Sequence, residues 1–233
     1  MPRLPPTLTL VLAEAELELV PDQIKGHPSV RAAAGRKESR AARTLLDSSI
    51  HHDAMKHLPD GERRGRPDLT HYFLLLALDS VLNKQRGLRL VVHTRNDERI
   101  SVAPETRIMR NYPRFIGLME QLFRFRQVPQ DPVLFRIDEG WTLERVLREE
   151  ARGPIAAFSE HGRKVAFRPW VAEKAAAGDL TVVLGGFPKG DFRSPIDKLA
   201  AEIVSIRPEP LSVWTVETAL IAFWEDAVGL YGP

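Results

Sequence analysis

The sequence contains no cysteine. This absence excludes disulfide bonds, thiolate metal ligands and a cysteine nucleophile, and it leaves the redox compartment undetermined. A long hydrophobic run is also missing. The apolar stretch from Leu8 to Leu12 is too short for a membrane span and lacks the layout of a signal peptide. We therefore expect a cytoplasmic protein with no membrane partner.

An excess of charge of one sign is absent as well. The 233 residues carry a formal net charge of only +2, with 43% apolar and 27% charged residues. The net electrostatic field of the molecule therefore does not indicate a polyanionic partner. Any evidence for such a partner must come from the distribution of the charges along the chain. Because there is no internal repeat and no low-complexity tract, we treat residues 1–233 as a single domain.

Apolar runs typical of buried strands alternate with segments of helical length and periodicity. The predicted strands are the first part of the segment 8–20 and the whole of the segments 88–94, 132–137, 154–158, 179–184 and 202–206. The predicted helices are 69–85, 112–123 with Asn111 as its N-cap, 142–151, 168–178 and 211–227. This alternation predicts an α/β fold with a mainly parallel sheet and helices on both faces. Between the first strand and residue 44, the segment 22–43 is predicted to be a mobile or weakly helical basic loop insertion, either solvated or in contact with RNA.

A glycine-rich loop follows the predicted strand 179–184. Gly185 and Gly186 come directly after the strand, and Gly190 lies a few residues further on. Such glycines let backbone approach a ligand at the carboxyl end of a parallel sheet. The loop matches neither the Walker pattern nor the G-x-G-x-x-G fingerprint, so a plain tight turn remains the alternative.

Three arginines surround the start of the helix predicted at 112–123. Arg107 and Arg110 precede this helix and Arg114 lies in its first turn. A helix N-terminus already carries partial positive charge, so three cations there favour a bound anion, for which phosphate is the natural candidate. The alternative is internal pairing with Glu105, Glu120 or more distant carboxylates.

Other polar clusters are less specific. The segment 63–68 adds Arg63, Arg64 and Arg66, with Asp68 close enough to orient one guanidinium towards a ligand or to form a simple surface ion pair. His93, Arg95 and Asp97 form another polar cluster at the exit of the strand 88–94. The run His51-His52-Asp53 places its side chains on different faces, so we expect no metal site.

Several motifs together resemble one known family. They are LLDSSIHHDAM, RRGRPDLTH, HTRNDE, PETRIMRNYPRFIGLMEQLF, LGGFPKGDF and the ending SI-x-x-x-PLSVWTV. In the same order, over about residues 44 to 216, they are similar to motifs of the Nep/Emg family of SPOUT-class RNA methyltransferases, in its archaeal-like form. This resemblance implies S-adenosylmethionine as methyl donor and N1 of a pseudouridine in small-subunit (16S-type) ribosomal RNA as acceptor, in a single-stranded loop of a stem-loop.

The resemblance also implies a role in small-subunit biogenesis, a homodimer, a SPOUT-like fold and no DNA partner. It divides the chain into an RNA-binding arginine region at 44–126 and a C-terminal trefoil knot that binds the cofactor at 179–227. Chains generally avoid threading, so the knot follows from the resemblance alone.

The resemblance assigns roles to individual residues. It implies that rRNA is contacted by Arg66, Arg107, Arg110 and Arg114, and that Asp68 steadies Arg66. It implies that the cofactor lies against Gly185, Gly190, Val204, Ser205, Ile206, Arg207 and Leu211. Two positions depart from the usual family pattern, since Met109 stands where proline is common and Lys189 where histidine is common.

No residue is assigned as the general base. Arg66 and Asp68 are the best catalytic candidates, His93 and Asp97 remain unassigned, and water or a phosphate could take the proton. Two other functions stay open at this point. One is a ribosome-assembly factor that binds RNA with little or no catalysis. The other is a nucleotide-binding metabolic enzyme that uses the glycine loop and has no affinity for RNA.

Overall fold

The computed structural model describes residues 6–33 and 43–232, which form one eight-stranded sheet flanked by helices. The strands are β1 Leu8–Ala15, β2 Leu88–Thr94, β3 Glu98–Val102, β4 Gln127–Val128, β5 Phe135–Glu139, β6 Ile155–Lys164, β7 Leu180–Gly185 and β8 Glu202–Ser205. The helices are α1 Pro28–Ala33, α2 Ser48–Met55, α3 Pro67–Asp79, α4 Val81–Lys84, α5 Tyr112–Phe125, α6 Leu143–Glu150, α7 Phe167–Ala177, α8 Ile196–Leu199 and α9 Val213–Ala227.

The sheet has a parallel part and an antiparallel part, in the strand order β4-β5-β3-β2-β1-β7-β6-β8. The five strands from β2 to β8 in this order pair in parallel. The strands β3, β5 and β4 extend the sheet through antiparallel pairs beyond β2. The prediction of an α/β fold with a mainly parallel sheet is therefore confirmed.

Alternating residues of the central strand β1 face two separate cores. Leu8, Leu10 and Leu12 belong to a large core that also contains apolar residues of α3, α5, α7 and α9. Val11 and Ala13 belong to a second core on the opposite face, with residues of α6 and α8. Because successive strand side chains point to opposite faces, a strand covered on both sides is mostly apolar, and in β1 up to Ala13 every residue except Thr9 is apolar.

Some predicted elements differ in extent from those observed. The helix predicted at 69–85 is broken at Ser80, whose extended backbone ends α3 and whose side chain accepts a hydrogen bond from the Asn83 N–H at 3.1 Å. The strand predicted at 132–137 lies at Phe135–Glu139, and that predicted at 154–158 continues to Lys164. The strands β3 and β4 were not predicted.

The first part of the predicted basic insertion is ordered into short helices. Residues 22–24 form a 3-10 turn and α1 follows it. Ile24 and Val30 are buried in a small apolar cluster with Met55 and Leu58 at the end of α2. This part of the insertion is therefore not a fully solvated loop. Residues 34–42 of the insertion lie outside the described residues.

Candidate active site

A cleft of about 560 Å³ opens at the carboxyl ends of β7 and β8. The loops that follow these two strands form most of its walls, and β6, α3 and α9 contribute the rest. Ligands of open α/β sheets bind at this position. All seven positions expected to hold a cofactor line this cleft: Gly185, Gly190, Val204, Ser205, Ile206, Arg207 and Leu211.

Two glycines shape the loop after β7 in different ways. A Cβ on Gly186 would lie 2.6 Å from the Cα of Ala15, so the loop and the end of β1 pack backbone against backbone. Gly190 has a φ of +81°, which favours glycine, and a Cβ there would meet only Arg63 Nη1, at 3.6 Å. The sequence predicted that Gly186 would let backbone approach a ligand, but its contact with Ala15 could not be predicted, because that residue belongs to a distant strand.

The cleft combines an apolar lining with a charged rim. Leu184, Val204 and Val216 are buried apolar residues among those that line it. At the rim, Arg207 donates hydrogen bonds to Glu209 Oε1 at 2.8 and 3.0 Å, which lowers the pKa of that carboxyl. A ligand with a flat apolar ring system and a charged end suits such a lining.

Three buried glutamates follow one another at and beyond the end of β1. Glu14, Glu16 and Glu18 are at most 3% exposed. They are paired with three arginines from other parts of the chain: Arg63 with Glu14 at 2.7 Å and with Glu16 at 2.8 Å, Arg64 with Glu18 at 2.7 Å, and Arg95 with Glu16 at 2.5 Å. We call these six residues the internal ion cluster. A buried charge of this kind is tolerated only because each carboxylate has cationic partners.

The internal ion cluster holds the loop after β7 in place. Glu14 has a φ of +52°, and its carboxylate accepts hydrogen bonds from the N–H groups of Arg193, at 2.9 Å, and Ser194, at 2.8 Å. Arg63 donates to the carbonyl of Asp191 at 2.6 Å, and its guanidinium lies 3.8 Å from the ring centroid of Phe187. The wall of the cleft is therefore fixed by side chains that lie outside it.

This cluster shows how two of the polar clusters seen in the sequence are used. In the segment 63–68, Arg63 and Arg64 turn their guanidinium groups inwards to buried glutamates. Arg95 is engaged in the same way. His93 is buried, its Nδ1 accepts a hydrogen bond from the Glu14 N–H at 3.2 Å, and burial lowers its pKa. His93 therefore acts as a neutral structural group.

Arg66 lies between the cleft described above and a second one. It precedes α3, and it donates to both oxygens of Asp68 in the first turn, at 2.8 and 2.6 Å. This paired geometry fixes the plane of the guanidinium and raises the pKa of Arg66. Arg66 lines the first cleft and also the second, so it is the residue at which the two clefts meet.

The second cleft has a volume of about 430 Å³. It is lined by Asp47, Ser48, Ser49, Arg66, Asp68, His71, Tyr72, Leu75, Arg110 and Tyr112. The Tyr112 hydroxyl donates a hydrogen bond to Asp47 Oδ2 at 2.7 Å. Burial and the neighbouring Asp47 carboxylate raise the pKa of Tyr112, so its hydroxyl keeps its proton. Asp47 also caps α2 by accepting from the Ser49 N–H at 2.8 Å.

The three arginines around the start of α5 are exposed. As predicted, Asn111 caps this helix, and its side chain accepts a hydrogen bond from the Arg114 N–H at 3.1 Å. Arg107, Arg110 and Arg114 form no ion pair with any residue of the described chain, which disfavours the alternative of internal pairing. Glu105, one of the proposed partners, pairs with Arg86 instead. Of the three arginines, Arg110 reaches the second cleft.

A buried histidine fixes the segment that carries these arginines. His71 of α3 donates from Nε2 to the carbonyl of Met109 at 2.8 Å, and its ring stacks on Phe115 with the centroids 4.5 Å apart. The carbonyl just before Arg110 is thereby held against α3. Met109 stands where proline is usual in the similar family, and this hydrogen bond restrains the segment without the proline ring.

The buried His51 takes part in hydrogen bonding within the fold. His51 is buried, its Nδ1 accepts a hydrogen bond from the Asp47 N–H at 3.0 Å, and burial lowers its pKa. Among residues 6–33 and 43–232, no three His, Asp or Glu side chains lie together as a metal site would need. None of the described helices has the length and apolar character needed to cross a membrane.

Comparison with known proteins gives a consistent result. The model of the EMG1/NEP1 methyltransferase family matches residues 10–225. The ribosomal RNA small subunit methyltransferase Nep1 of Thermococcus kodakarensis is 46% identical over 223 residues, which cover 96% of this chain and 100% of that protein. Nep1 of Pyrobaculum calidifontis is 45% identical over 225 residues, with 96% and 100% covered.

A solved structure extends this similarity to the fold. The crystal structure of Archaeoglobus fulgidus Nep1 bound to S-adenosylhomocysteine superposes with a TM-score of 0.82 at 38% sequence identity. The match covers 95% of this chain and 98% of that one. The similarity therefore extends over nearly the whole length of both chains.

Proposed function

Because the chain belongs to the EMG1/NEP1 methyltransferase family, we propose that it transfers a methyl group from S-adenosylmethionine to N1 of a pseudouridine in small-subunit ribosomal RNA, as a step in small-subunit biogenesis. The observation that carries the proposal is the place of Arg66. It lies where a cleft suited to the cofactor meets a second cleft beside the exposed arginines. The relative from Archaeoglobus fulgidus was solved with S-adenosylhomocysteine, the product that this donor leaves.

The first cleft fits the methyl donor in size and chemistry. Its volume of about 560 Å³ lies in the range of small-molecule sites. The apolar side chains of Leu184, Val204 and Val216 suit an adenine ring, and Gly190 leaves one side open for close backbone approach. When bound, the sulfonium supplies an activated methyl group. The loops after β7 and β8 bind the donor and orient it towards Arg66.

The exposed arginines suit the RNA. We assign phosphate contacts to Arg66, Arg107, Arg110 and Arg114, because guanidinium groups bind phosphate oxygens in pairs of hydrogen bonds. Asp68 holds Arg66 in a fixed plane. The target base must leave its stack to reach the donor, so the substrate is an unpaired loop of a stem-loop.

Alignment contributes much of the rate in such a transfer. The chain must hold N1 of the base in line with the methyl group and its leaving sulfur, which replaces a chance encounter by a fixed geometry. Arg66 and Arg110 also stabilise negative charge that builds on the base as its proton leaves. Both side chains line the second cleft, where we place the base.

Four further features of the proposed enzyme remain predictions. They are a trefoil knot within 179–227, an RNA-binding arginine region within 44–126, a cytoplasmic location and a homodimer. The exposed apolar side chains of Ile50, Leu76 and Phe125 line neither cleft and are compatible with a second copy of the chain. Light scattering of the purified protein is expected to give the mass of a dimer, and a monomer mass at micromolar concentration would contradict the homodimer.

The proposed function is tested by methyl transfer in solution. Purified protein is incubated with methyl-labelled S-adenosylmethionine and a stem-loop RNA that carries pseudouridine in its loop. We expect label in this RNA and none in the matched RNA that carries uridine. Binding of both RNAs without transfer of label would instead indicate an assembly factor that does not catalyse the reaction.

A further inference from the structure

The second cleft contains a hydrogen-bonded pair to which the similar family's motifs assign no role. Building on the proposed function, we propose that this cleft holds the extruded base and that the Tyr112 hydroxyl, backed by Asp47, accepts the proton of the ring nitrogen that becomes methylated. Tyr112 would then be a catalytic residue, and Asp47 would act through it.

The position of the second cleft supports this assignment. Arg66 is common to the lining of both clefts, so a base held in the second cleft lies next to a donor held in the first. A volume of about 430 Å³ accommodates one nucleotide. Tyr72, which is 46% exposed, offers an aromatic face for stacking, and Arg66 and Arg110 offer charges for the flanking phosphates.

The carboxylates around the two clefts differ in their availability. Asp68 is engaged by Arg66 through both oxygens, and Glu209 is engaged by Arg207. Asp191 accepts from its neighbouring Phe192 N–H at 2.8 Å and from Ser159 at 3.2 Å. Within the described part of the chain Asp47 forms no ion pair with a lysine or arginine, although it is only 5% exposed.

Asp47 is instead held by neutral donors. Its Oδ1 accepts from the N–H and hydroxyl of Ser49, at 2.8 and 2.6 Å, and its Oδ2 accepts from Tyr112 at 2.7 Å. Since the Tyr112 proton already points to Asp47, the lone pairs of the phenolic oxygen remain as acceptors. Such an oxygen can receive a proton on one side while it releases its own on the other.

The step balances in atoms and charge. The ring N–H bond breaks, and its proton goes to Tyr112 Oη as the original hydroxyl proton moves to Asp47 Oδ2. The electron pair of the nitrogen forms the new bond to the methyl carbon, and the electrons of the breaking carbon–sulfur bond stay on sulfur. The sulfonium charge and the Asp47 charge disappear together, and solvent later takes the proton from Asp47.

The decisive variant is Tyr112→Phe, which removes only the hydroxyl and keeps a ring against His71. The measurement is single-turnover methyl transfer to pseudouridine RNA at saturating RNA and cofactor, with both dissociation constants determined separately. General-base catalysis contributes about 10²–10⁴-fold, so we expect the rate constant to fall by at least about 100-fold. Both dissociation constants are expected to stay at the wild-type values.

Two further variants separate catalysis from structure. Tyr231→Phe is the matched control, because it removes the hydroxyl of a tyrosine that lines neither cleft, and we expect the wild-type rate. Asp47→Asn keeps an N-cap acceptor for α2 and is expected to slow transfer as Tyr112→Phe does. All three variants are expected to fold, with a small loss of thermal stability in Tyr112→Phe because it removes one hydrogen-bond partner of the buried Asp47.

The pH profile gives a result that a structural role would not produce. Without the hydroxyl, solvent hydroxide must remove the ring proton, so the deficit of Tyr112→Phe is expected to shrink as the pH rises. The other ionisable groups near the pair are all retained in the variant: His51, Arg66, Asp68, His71, Tyr72 and Arg110. A deficit that is constant over pH, or a wild-type rate in Tyr112→Phe, would overturn the proposal. Wild-type protein that transfers no methyl to pseudouridine RNA would instead contradict the proposed function.

Discussion

Two sets of arginines lie close together in this protein and have different roles. Arg63, Arg64 and Arg95 point inwards and neutralise the buried glutamates of the internal ion cluster. Arg66, only two residues after Arg64, points to the clefts, and the exposed Arg107, Arg110 and Arg114 lie near the start of α5. The difference shows that the location of carboxylates, and not the density of arginine in the sequence, decides which arginines are free to bind RNA.

The largest effect is expected at the inner set. Arg63→Ala leaves Glu14 and Glu16 without their shared partner in a buried site. Breaking a buried ion pair from one side costs about 3–5 kcal/mol, so we expect a loss of that size in the free energy of unfolding. Denaturant titration measures it, with Arg114→Ala as the exposed control, for which no significant loss is expected. Equal stability of the two variants would remove the distinction between the two sets.

Glu217 differs from the buried glutamates of the internal ion cluster. Glu217 of α9 is fully buried, neither carboxylate oxygen has a hydrogen-bond partner among the residues that the structure describes, and burial raises its pKa well above the usual value. A group with a raised folded-state pKa stabilises the fold most below its unfolded-state pKa, and this contribution is lost as the pH rises through the folded-state pKa.

We therefore expect Glu217→Gln to change how stability depends on pH. The wild-type protein is expected to lose free energy of unfolding as the pH rises above the ordinary carboxyl range, whereas the variant lacks this component. At alkaline pH the difference is expected to favour the variant by about 1–3 kcal/mol, the cost of an unsatisfied buried group. Denaturant titrations of both proteins over a pH series measure it, and parallel pH curves would show that Glu217 is not titrating in the fold.

At the outer set we expect RNA binding to weaken while cofactor binding stays unchanged. Arg110→Ala removes one assigned phosphate contact, so the affinity for the loop RNA is expected to fall by about tenfold. The slope of log affinity against log salt is expected to decrease by about 0.7 for a single-stranded site. Fluorescence titration with RNA measures both quantities. Calorimetry with S-adenosylhomocysteine should give an unchanged affinity, and a normal RNA affinity with the wild-type salt slope would exclude Arg110 from the interface.

Local patterns in the sequence predicted much of the fold. The strand at 88–94 and the capped helix at 112–123 were predicted because their signals lie within a few neighbouring residues. The strands β3 and β4 were missed, since β3 mixes charged and apolar residues and β4 has only two residues. The geometry of β3 depends on its pairing with β2 and β5, and that of β4 on its pairing with β5.

The sequence predicted some parts of the candidate site and not others. Most of the residues expected to bind the cofactor lie at the ends of β7 and β8 or just after them, and the carboxyl ends of both strands lie at the same edge of the sheet. Motifs in these two short segments were therefore enough to predict them. The inward orientation of the Arg63 side chain could not be predicted from the sequence, because its partner Glu16 is 47 residues away. The bond between Tyr112 and Asp47 joins residues 65 positions apart, and no local pattern marks either as its partner.

The most direct test of the account is to find where the methyl group goes. After incubation with S-adenosylmethionine, the pseudouridine-containing stem-loop is digested to nucleosides and analysed by mass spectrometry, with Arg63→Ala and Arg110→Ala run in parallel at saturating RNA. We expect N1-methylpseudouridine from the wild-type protein and from Arg110→Ala, and less from Arg63→Ala, in line with its folded fraction. Methylation on a different atom or a different nucleotide, or no methylated nucleoside from wild-type protein that binds both ligands, would contradict the account.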